Sequence, residues 1–345
     1  MGPEDFDYTL PTSQIAQEPA PRRGDARMRV LCGEQAPQHR RAHELAGYLP
    51  ADALVVVNDS RVVPARLYLR RAPGDRRFEL LVCDPAPGLG VGQGFRAWVR
   101  GAKRLKVGDR LAAGALCCRY LGPDPIDPRA RRFAIEAGEL LPLLEAEGEI
   151  PLPPYIHREA GPDDADRRRY QTTYARDPGS VAAPTAGLHW EPSLLAALDV
   201  VPITLHVGPG TFLPMEAEDV RDHRVGAERY SISEASASRI AAAKAAGRPL
   251  CAVGTTATRA LEAVARAHDG QVVAGSGSTD LVITPGHGFR AVDLLITNFH
   301  LPKSSLLMLV AAFGGHARVM AAYRAAVAAG YRFYSYGDCM LLDRG

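Results

Sequence analysis

The sequence predicts a mixed α/β main domain that is interrupted by a small β-barrel. At 345 residues the chain is long enough for two domains. Short apolar runs that end in polar loops alternate with helical patterns in residues 1–61 and 150–345. Residues 62–149 instead contain short apolar segments between Gly, Pro and Asp turns, with no helical period. We therefore predict a discontinuous α/β domain, residues 1–61 and 150–345, and an inserted β-barrel domain, residues 62–149.

The composition is that of a soluble globular protein, with 46% hydrophobic and 23% charged residues. The first residues are acidic and lack the layout of a signal peptide, and no apolar run approaches membrane-spanning length. The six cysteines show neither a Cys-x-x-Cys pair nor a Cys/His ligand spacing. We expect a cytoplasmic protein with no membrane association, no metal site and no disulfide framework.

Positive charge is concentrated in one part of the chain. Residues 61–132 contain 16 Arg and Lys against 6 Asp and Glu, and the rest of the chain contains 25 basic and 33 acidic residues. Such an asymmetry predicts a polyanionic partner, because phosphate neutralisation supplies most non-specific affinity for nucleic acid. The alternative is a solvated basic face with no partner.

The first half of the chain supplies a buried strand and the predicted barrel. Residues 54–60 form a strand that ends in the turn-forming side chains Asn58, Asp59 and Ser60. Barrel strands are predicted at residues 78–82, 95–99, 110–111 and 117–121. The basic rim of this barrel, suited to a tRNA backbone, consists of Arg96, Arg100, Lys103, Arg104, Lys106 and Arg110. A short helix at residues 140–144 and a proline-stiffened connector at residues 150–156 lead back to the main domain.

Residues 180–212 hold the most informative stretch of the chain. Two apolar runs end in small residues and hydroxyls, the first at His189 and the second at His206. Between them, residues 191–198 predict a helix with Pro192 in its first turn, and residues 200–206 predict a strand in which Pro202 favours a beginning or an edge. Because both loops open at one sheet edge, we expect His189 and His206 to be neighbours.

The last third repeats the pattern of strand and polar loop. Ser233 is expected to cap a helix over residues 235–246, and a strand at residues 249–253 runs into a helix that begins at Gly254. The threonines that follow offer N–H groups and hydroxyls to an anion, or cap the helix without a ligand. His223 and Glu228 are five residues apart, which is more typical of a surface ion pair than of catalysis.

Further strands are predicted at residues 281–284 and 294–297, helices at residues 306–313 and 317–329, and a closing strand at residues 331–338. Asn298, His300, Lys303 and Ser304 place several kinds of hydrogen-bonding chemistry in one turn. No Walker A loop, Gly-x-Gly-x-x-Gly fingerprint or Gly-x-Ser-x-Gly elbow is present. The residues alone predict a pocket formed by several loops, next to a basic β-domain.

The motifs together resemble one family, the S-adenosylmethionine:tRNA ribosyltransferase-isomerases of queuosine biosynthesis. They occur in the family's order and span nearly the whole chain. The matching stretches are residues 6–8 (Phe-Asp-Tyr), 58–61 (Asn-Asp-Ser-Arg), 64–67 (Pro-Ala-Arg-Leu), 150–156 (Ile-Pro-Leu-Pro-Pro-Tyr-Ile), 170–172 (Tyr-Gln-Thr), 183–189 (Ala-Pro-Thr-Ala-Gly-Leu-His), 205–208 (Leu-His-Val-Gly), 210–212 (Gly-Thr-Phe), 254–256 (Gly-Thr-Thr), 297–304 (Thr-Asn-Phe-His-Leu-Pro-Lys-Ser) and 336–338 (Tyr-Gly-Asp). Gly226 stands where the family has a second histidine before the glutamate, so no role for that histidine is carried over.

The resemblance implies that the protein is a transferase and that residues 1–61 and 150–345 form its catalytic domain. It would transfer and isomerise the ribosyl moiety of S-adenosylmethionine onto 7-aminomethyl-7-deazaguanine (preQ1) at the tRNA wobble position. The products would be epoxyqueuosine in tRNA, adenine and methionine. S-adenosylmethionine is then a consumed cosubstrate, no bound cofactor is expected, and we expect a monomer.

Each step of that chemistry requires proton transfer, for which histidine is suited near neutral pH. A sulfonium acidifies the neighbouring ribose C5′ hydrogens, the attacking amine must be neutral, and departing adenine benefits from a proton. We expect His189 and His206 to supply this acid–base work, with His300 as a third group and Glu228 orienting a histidine or the sulfonium. For either of the first two, a structural role is the alternative.

The resemblance also assigns binding residues. We expect the cosubstrate to be bound by Thr185, Ala186, Gly187, Gly210, Thr211, Gly254, Thr255 and Thr256. We expect tRNA to be bound by Arg61, Arg66, Arg100, Arg104 and Lys303. Two other functions are open: a non-catalytic tRNA-binding protein, which leaves the polar loops unexplained, and an S-adenosylmethionine-dependent RNA methyltransferase, whose nucleotide loop is absent.

Overall fold

A computed structural model describes residues 1–33, 36–212, 215, 217 and 219–345. The strands are β1 (Arg27–Leu31), β2 (Gln38–Arg41), β3 (Leu54–Asn58), β4 (Ser60–Val62), β5 (Arg66–Ala72), β6 (Arg77–Val82), β7 (Gly94–Val99), β8 (Arg110–Ala113), β9 (Leu116–Pro123), β10 (Ala130–Ala137), β11 (Asp177–Ser180), β12 (Asp199–Leu205), β13 (Glu228–Ile232), β14 (Leu250–Val253), β15 (Gly275–Thr279), β16 (Leu294–Asn298) and β17 (Cys339–Asp343). The α-helices are α1 (Leu140–Glu147), α2 (Asp164–Arg169), α3 (Pro192–Ala196), α4 (Glu234–Ala245), α5 (Gly254–Ala267), α6 (Ser305–Gly314) and α7 (His316–Ala328).

The main sheet has nine strands in the order β15-β13-β12-β3-β14-β16-β17-β1-β2. Its four neighbouring strands β12, β3, β14 and β16 are parallel, whereas β13, β15 and β2 pair with their neighbours in antiparallel fashion. Strands β3 and β16 are buried along their whole length, which is typical of parallel strands covered on both faces. The mixed α/β class predicted from the sequence is confirmed.

Six strands of the middle segment pair in the closed order β10-β7-β6-β5-β8-β9 and form a closed barrel. Alternate side chains of these strands point inward, among them Phe78, Leu80, Phe95 and Phe133. This barrel core is a separate hydrophobic cluster from the clusters that cover the main sheet. Apart from Val181, its buried members all come from residues 63–144.

Most helices and strands lie where the sequence predicts them. Ser233 caps α4 by accepting a 3.1 Å hydrogen bond from the backbone N–H of Ser236. Pro202 lies inside β12 opposite Val57 of β3, although proline cannot donate to a ladder. On its other side β12 pairs with β13 only at Thr204 and Leu205, so Pro202 occupies a local edge as predicted.

Two predicted strands are wrong. Residues 281–284 are irregular, and the strand of this region is the Gly- and Ser-rich β15, which pairs with β13 along five residues. The Leu281 carbonyl instead accepts a hydrogen bond from Nε of Arg259. Residues 331–338 are also irregular, because Tyr334 has a φ of 73° and Asp338 Oδ2 accepts a hydrogen bond from the backbone N–H of Arg332. The last strand of the chain is instead β17, which lies between β16 and β1 in the main sheet.

Within the described part of the chain, no single helix is long and apolar enough to cross a bilayer. Helices α6 and α7 reach that length and composition only as a pair, which is bent by 118°.

Candidate active site

The main cavity lies at the carboxyl edge of the four parallel strands. It has a volume of about 690 Å³, including its open mouth, and its walls include residues that follow β12, β14 and β16. Ligands of α/β sheets commonly bind at this edge. Seven of the predicted site residues line the cavity: Thr185, Ala186, Thr211, Gly254, Thr255, Thr256 and His300.

Asn58, at the end of β3, forms hydrogen bonds to β4, β12 and α5. Its Oδ1 accepts hydrogen bonds from the backbone N–H of Leu205 (2.9 Å) and of Ser60 (3.1 Å). Its Nδ2 donates to the Leu205 carbonyl (2.9 Å) and to Thr256 Oγ1 (3.3 Å). The side chain is fully buried, so its four bonds satisfy it and fix the positions of the β12 loop and of α5. The turn-forming residues after β3 predicted a loop at this position, but the sequence did not predict that Asn58 would connect neighbouring elements.

The first turn of α5 forms one wall of the cavity. Gly254 has a φ of 91°, a conformation that side chains rarely adopt, and a Cβ there would lie 3.5 Å from Cβ of Ala186. Thr255 and Thr256 follow directly and are both buried. This 14-residue helix therefore presents its N-terminal N–H groups and two hydroxyls to the cavity, which suits an anionic or hydroxyl-rich ligand.

His189 lies beside the cavity and is held by the end of β16. Its Nε2 is 3.1 Å from Oδ1 of Asn298, a residue that lines the cavity. Nδ2 of Asn298 donates to the carbonyls of Tyr334 (2.8 Å) and Ser335 (3.2 Å), which fixes the amide and makes Oδ1 the acceptor for His189. His189 therefore carries its proton on Nε2. Burial lowers the pKa of His189 to about 4, so the ring is neutral at neutral pH with a lone pair on Nδ1.

His300 lines the cavity from the same strand end. Its Nε2 shares a 2.7 Å hydrogen bond with Oγ1 of Thr297, and its backbone N–H donates to the Tyr323 hydroxyl at 3.1 Å. The Tyr8 hydroxyl donates to the His300 carbonyl. Burial lowers the pKa of His300 to about 3. Tyr8 and Tyr323, from near the two ends of the chain, thus hold the backbone of His300 in place.

Aromatic side chains form a wall that the sequence reasoning missed. Tyr155, Tyr170 and Tyr334 line the cavity, and the rings of Tyr155 and Tyr334 have centroids 4.3 Å apart. The Tyr155 hydroxyl shares a 2.7 Å hydrogen bond with Oγ of Ser335. Burial raises the pKa of the Tyr170 hydroxyl, and hydrogen bonding to Ser335 and to the Ala183 backbone opposes that rise. The tyrosines of the connector and of residues 331–336 could have predicted this wall, but residues 331–338 were interpreted as a strand.

His206 faces away from the cavity residues. Its neighbour Val207 lines the cavity, whereas the His206 ring packs on Gly179, where a Cβ would lie 2.8 Å from Nδ1 of His206. Burial and the positive charge of Arg229 lower its pKa to about 4, and the negative charge of Asp84, a residue of the middle segment, opposes this. The structure therefore does not show the expected pairing of His206 with His189.

Glu228 is buried and paired with Arg259, each side chain being 8% exposed. Its Oε1 accepts a 2.8 Å hydrogen bond from the backbone N–H of Gly208, and Nη1 of Arg259 donates to Oε2. Glu228 thereby anchors the loop that leads to Thr211, whose hydroxyl lies in the cavity wall. Nη2 of Arg259 is buried and has no partner in the described part of the chain.

Gly187 and Gly210 do not line the cavity. A Cβ on Gly187 would lie 1.9 Å from the Tyr174 hydroxyl, so this glycine is required by close packing. Around Gly210 a Cβ would meet nothing within 4 Å.

The residues expected to contact tRNA are mostly ion-paired. Arg61 pairs with Glu145 (2.7 Å), Arg66 and Arg100 both pair with Glu79 (3.7 and 3.6 Å), and Lys303 pairs with Glu4 (2.8 Å) and Asp7 (3.2 Å). Arg104 is exposed and has no carboxylate partner among the described residues. The described residues also contain no group of three or more His, Cys, Asp or Glu side chains that could hold a metal ion.

Comparison with known proteins identifies the family. The model of a family described as queuosine biosynthesis protein matches residues 3–342. The chain belongs to this family. Proteins named S-adenosylmethionine:tRNA ribosyltransferase-isomerase are similar to it over nearly its whole length. The one from Anaeromyxobacter dehalogenans (strain 2CP-C) is 49% identical over 99% of both chains, and the one from Moorella thermoacetica is 46% identical over 98% of this chain and 99% of its own.

A solved structure of the queuosine biosynthesis family supports the fold. The crystal structure of S-adenosylmethionine tRNA ribosyltransferase from Thermotoga maritima matches with a TM-score of 0.55 and 32% identity. The match covers 98% of this chain and 99% of that chain. The cavity described above thus lies in a chain whose fold and sequence both match this family from end to end.

Proposed function

We propose that this protein is an S-adenosylmethionine:tRNA ribosyltransferase-isomerase of queuosine biosynthesis. The observation that carries the proposal is the end-to-end match to relatives of that name, at 49% identity for the Anaeromyxobacter protein. The protein moves the ribosyl part of S-adenosylmethionine to the aminomethyl group of 7-aminomethyl-7-deazaguanine in tRNA. Adenine and methionine leave, and the tRNA carries epoxyqueuosine.

The main cavity is the proposed site for S-adenosylmethionine. Its wall combines three tyrosines, which suit adenine, with the N–H groups and hydroxyls at the start of α5, which suit the ribose or the carboxylate. Gly187 serves the proposed site by allowing its loop to pack on Tyr174, and contact of Gly210 with the cosubstrate stays a prediction. The residues that line the cavity supply contacts.

His189 and His300 are the proposed acid–base groups. Both are neutral at neutral pH, and the free lone pair on His189 Nδ1 can accept a proton from the ribose C5′ carbon or from the incoming ammonium. A histidine that has taken this proton can return it to adenine as the glycosidic bond breaks. A direct role of His206 stays a prediction, and Glu228 acts through the Gly208 loop rather than on the reacting atoms.

We further propose that residues 62–149 form an inserted domain. The separate hydrophobic core of the barrel supports this division, because a domain has a core of its own. Binding of tRNA by Arg61, Arg66, Arg100, Arg104 and Lys303 stays a prediction. A cytoplasmic monomer without a resident cofactor is the form that we expect to act.

The direct test mixes purified protein with S-adenosylmethionine and tRNA that carries the 7-aminomethyl-7-deazaguanine base. We expect adenine and methionine in equal amounts and a heavier wobble nucleoside by mass spectrometry. Tight tRNA binding without adenine release would contradict the proposal in favour of a non-catalytic RNA-binding protein. Transfer of label from the S-adenosylmethionine methyl group to RNA would identify a methyltransferase instead.

A further inference from the structure

A group of five arginines lies on the side of the main domain outside the main cavity, and two of them line a cleft that includes His189. Two neighbouring surface clefts contain them, one lined by Arg27, Arg41 and Arg332 and the other by Arg23 and Arg169. We call these five residues the arginine face. They come from the N-terminal segment, from the end of α2 and from the loop before β17, so the fold collects them from distant parts of the sequence.

No arginine of this face forms an ion pair with a carboxylate in the described part of the chain. Each guanidinium instead donates to neutral backbone carbonyls. These bonds run from Arg23 to Leu188 (2.9 Å), from Arg27 to Ala329 (3.0 Å), from Arg41 to Asp25 (2.6 Å), from Arg169 to Ala20 (2.6 Å) and from Arg332 to Glu18 (3.0 Å). A carbonyl fixes a guanidinium without neutralising it, so every arginine keeps its charge and further N–H donors.

The carboxylates beside the arginine face are engaged elsewhere. Asp25 receives two hydrogen bonds from Arg22, at 3.1 and 3.0 Å. Asp338 is buried, and its two oxygens accept from the backbone N–H groups of Arg27 and Arg332, both at 2.8 Å. Neither carboxylate forms an ion pair with an arginine of the face among the described residues, although both line the cleft of Arg27, Arg41 and Arg332. Three positive charges there face two negative ones, and the excess favours an external anion.

The basic residues of the barrel differ in this respect. Arg110 and Arg119 share Glu136, each at 2.8 Å, and Arg66 and Arg100 share Glu79. Paired arginines contribute less to long-range attraction, because the field of each charge is opposed by its partner. The segment that is most basic in sequence keeps an excess of ten positive charges, but these four arginines share two carboxylates, whereas the arginines of the face form no ion pair among the described residues.

The arginine face also adjoins the proposed acid–base group. The cleft lined by Arg23 and Arg169 includes His189 and Ser335, and Ser335 also lines the main cavity. The hydrogen bond between His189 and Asn298 links a residue of the arginine-lined cleft to a residue of the main cavity. A nucleotide held by the arginines would therefore lie next to the proposed cosubstrate site.

We propose that the arginine face binds the sugar-phosphate backbone of the tRNA, so that the wobble base enters the main cavity, where its amine can reach the ribose of the cosubstrate, on the side of Ser335 and His189. This inference rests on the proposed function, because it assigns the macromolecular substrate of that reaction to a surface. Arginine forks match phosphate geometry, and phosphate contacts set the position of RNA on a protein. The barrel is then an additional contact and not the principal one.

The test measures tRNA binding by fluorescence anisotropy over a series of salt concentrations, without S-adenosylmethionine. The double variant Arg41→Gln/Arg332→Gln keeps a donor for each backbone carbonyl and removes two charges. We expect its affinity to fall roughly tenfold at about 0.1 M salt and the slope of log K against log salt to decrease by roughly 2. Arg41→Lys/Arg332→Lys keeps the charges and should retain the slope.

Two further pairs complete the design. Arg266→Gln/Arg290→Gln removes two exposed charges near the far end of α5 and should change affinity less than twofold, while Arg100→Gln/Arg104→Gln tests the barrel. An unchanged slope in the Arg41/Arg332 glutamine variant, or an equal or larger loss in the barrel variant, would overturn the proposal. Adenine release by the wild-type protein is scored separately. Release combined with an unchanged slope refutes the surface alone, whereas tRNA binding without release refutes the proposed function alone.

Discussion

The ends of β16 and β12 carry similar histidine-containing motifs in the sequence but differ in the structure. After β16, Asn298 and Thr297 hold His189 and His300 by side-chain hydrogen bonds beside the main cavity. After β12, Val207 faces the cavity and His206 packs on Gly179, with an unpartnered Nδ1 among the described residues. A histidine next to a loop that lines the cavity need not line it too, because neighbouring residues of an extended chain point to opposite sides.

The largest effect is expected from Glu228→Gln, on the β12 side of this comparison. The change leaves the buried Arg259 guanidinium without its carboxylate, which costs about 3–5 kcal/mol of unfolding free energy for a buried pair. Urea denaturation measures it, with the exposed Glu159→Gln as the matched control. A Glu228→Gln protein of normal stability that lacked activity would assign Glu228 to the chemistry and break the comparison.

The second prediction concerns Asn298, the positioning residue of the β16 side. Asn298→Ala removes the acceptor that fixes the His189 tautomer, and we expect adenine release to slow roughly 100-fold with tRNA binding unchanged. Asn298→Asp places a carboxylate beside His189, which raises the pKa of that histidine. The acid limb of the kcat profile should therefore move to higher pH. A limb that does not move would indicate a purely structural role for Asn298.

The third prediction is a loss of stability in acid. The pKa values of His189 and His300 in the folded protein, about 4 and about 3, lie below the value of about 6.5 for an unfolded chain. Between pH 6.5 and 4 the unfolded state therefore binds more protons, so stability is complete above pH 6.5 and falls as the pH falls. By pH 5 each buried histidine should account for about 2 kcal/mol of the loss.

Urea titrations at pH 7.5 and 5 check this dependence. His300→Gln should reduce the loss between the two values, and the exposed His157→Gln should leave it unchanged. An equal loss in wild type and His300→Gln would show that His300 does not titrate as its burial predicts.

The smallest effect is expected from single hydroxyls. Thr297→Val removes the hydroxyl that bonds His300, and Thr204→Val removes one that donates to Asp59 at 2.7 Å on the β12 side. Both should lose about 1–2 kcal/mol of stability. Only Thr297→Val should slow adenine release, roughly tenfold, as a kinetic assay of both variants would show. An equal decrease in activity for Thr204→Val would remove the distinction between the two sides.

The sequence was sufficient for elements whose pattern is local. Strand β3 is a continuous run of Leu and Val followed by turn residues, and α4 begins with a serine cap. Of the eight candidate cosubstrate residues and four candidate catalytic residues, seven line the cavity, among them Thr255 and His300, whereas Gly187 is required by close packing. Residue type and position in a loop indicated the site, but not the side of the chain on which each group lies.

What the sequence could not supply depends on contacts between distant residues. The arginine face is dispersed over residues 23–41, 169 and 332, and the neighbouring carboxylates accept hydrogen bonds from Arg22 and from backbone N–H groups rather than from its guanidinium groups. Likewise, the irregular course of residues 331–338 depends on hydrogen bonds to Asn298 and Asp338, which outweigh the strand propensity of its tyrosines. Neither feature has a local signal.

The most direct test of the account compares His189→Ala with His206→Ala in single-turnover adenine release, at saturating S-adenosylmethionine and tRNA. The account predicts a decrease of at least about 100-fold for His189→Ala, the usual range for loss of an acid–base group, and less than about tenfold for His206→Ala. Binding of both substrates should be retained in each variant. Near-normal release by His189→Ala, together with a large loss in His206→Ala, would contradict the account and place the chemistry at the end of β12.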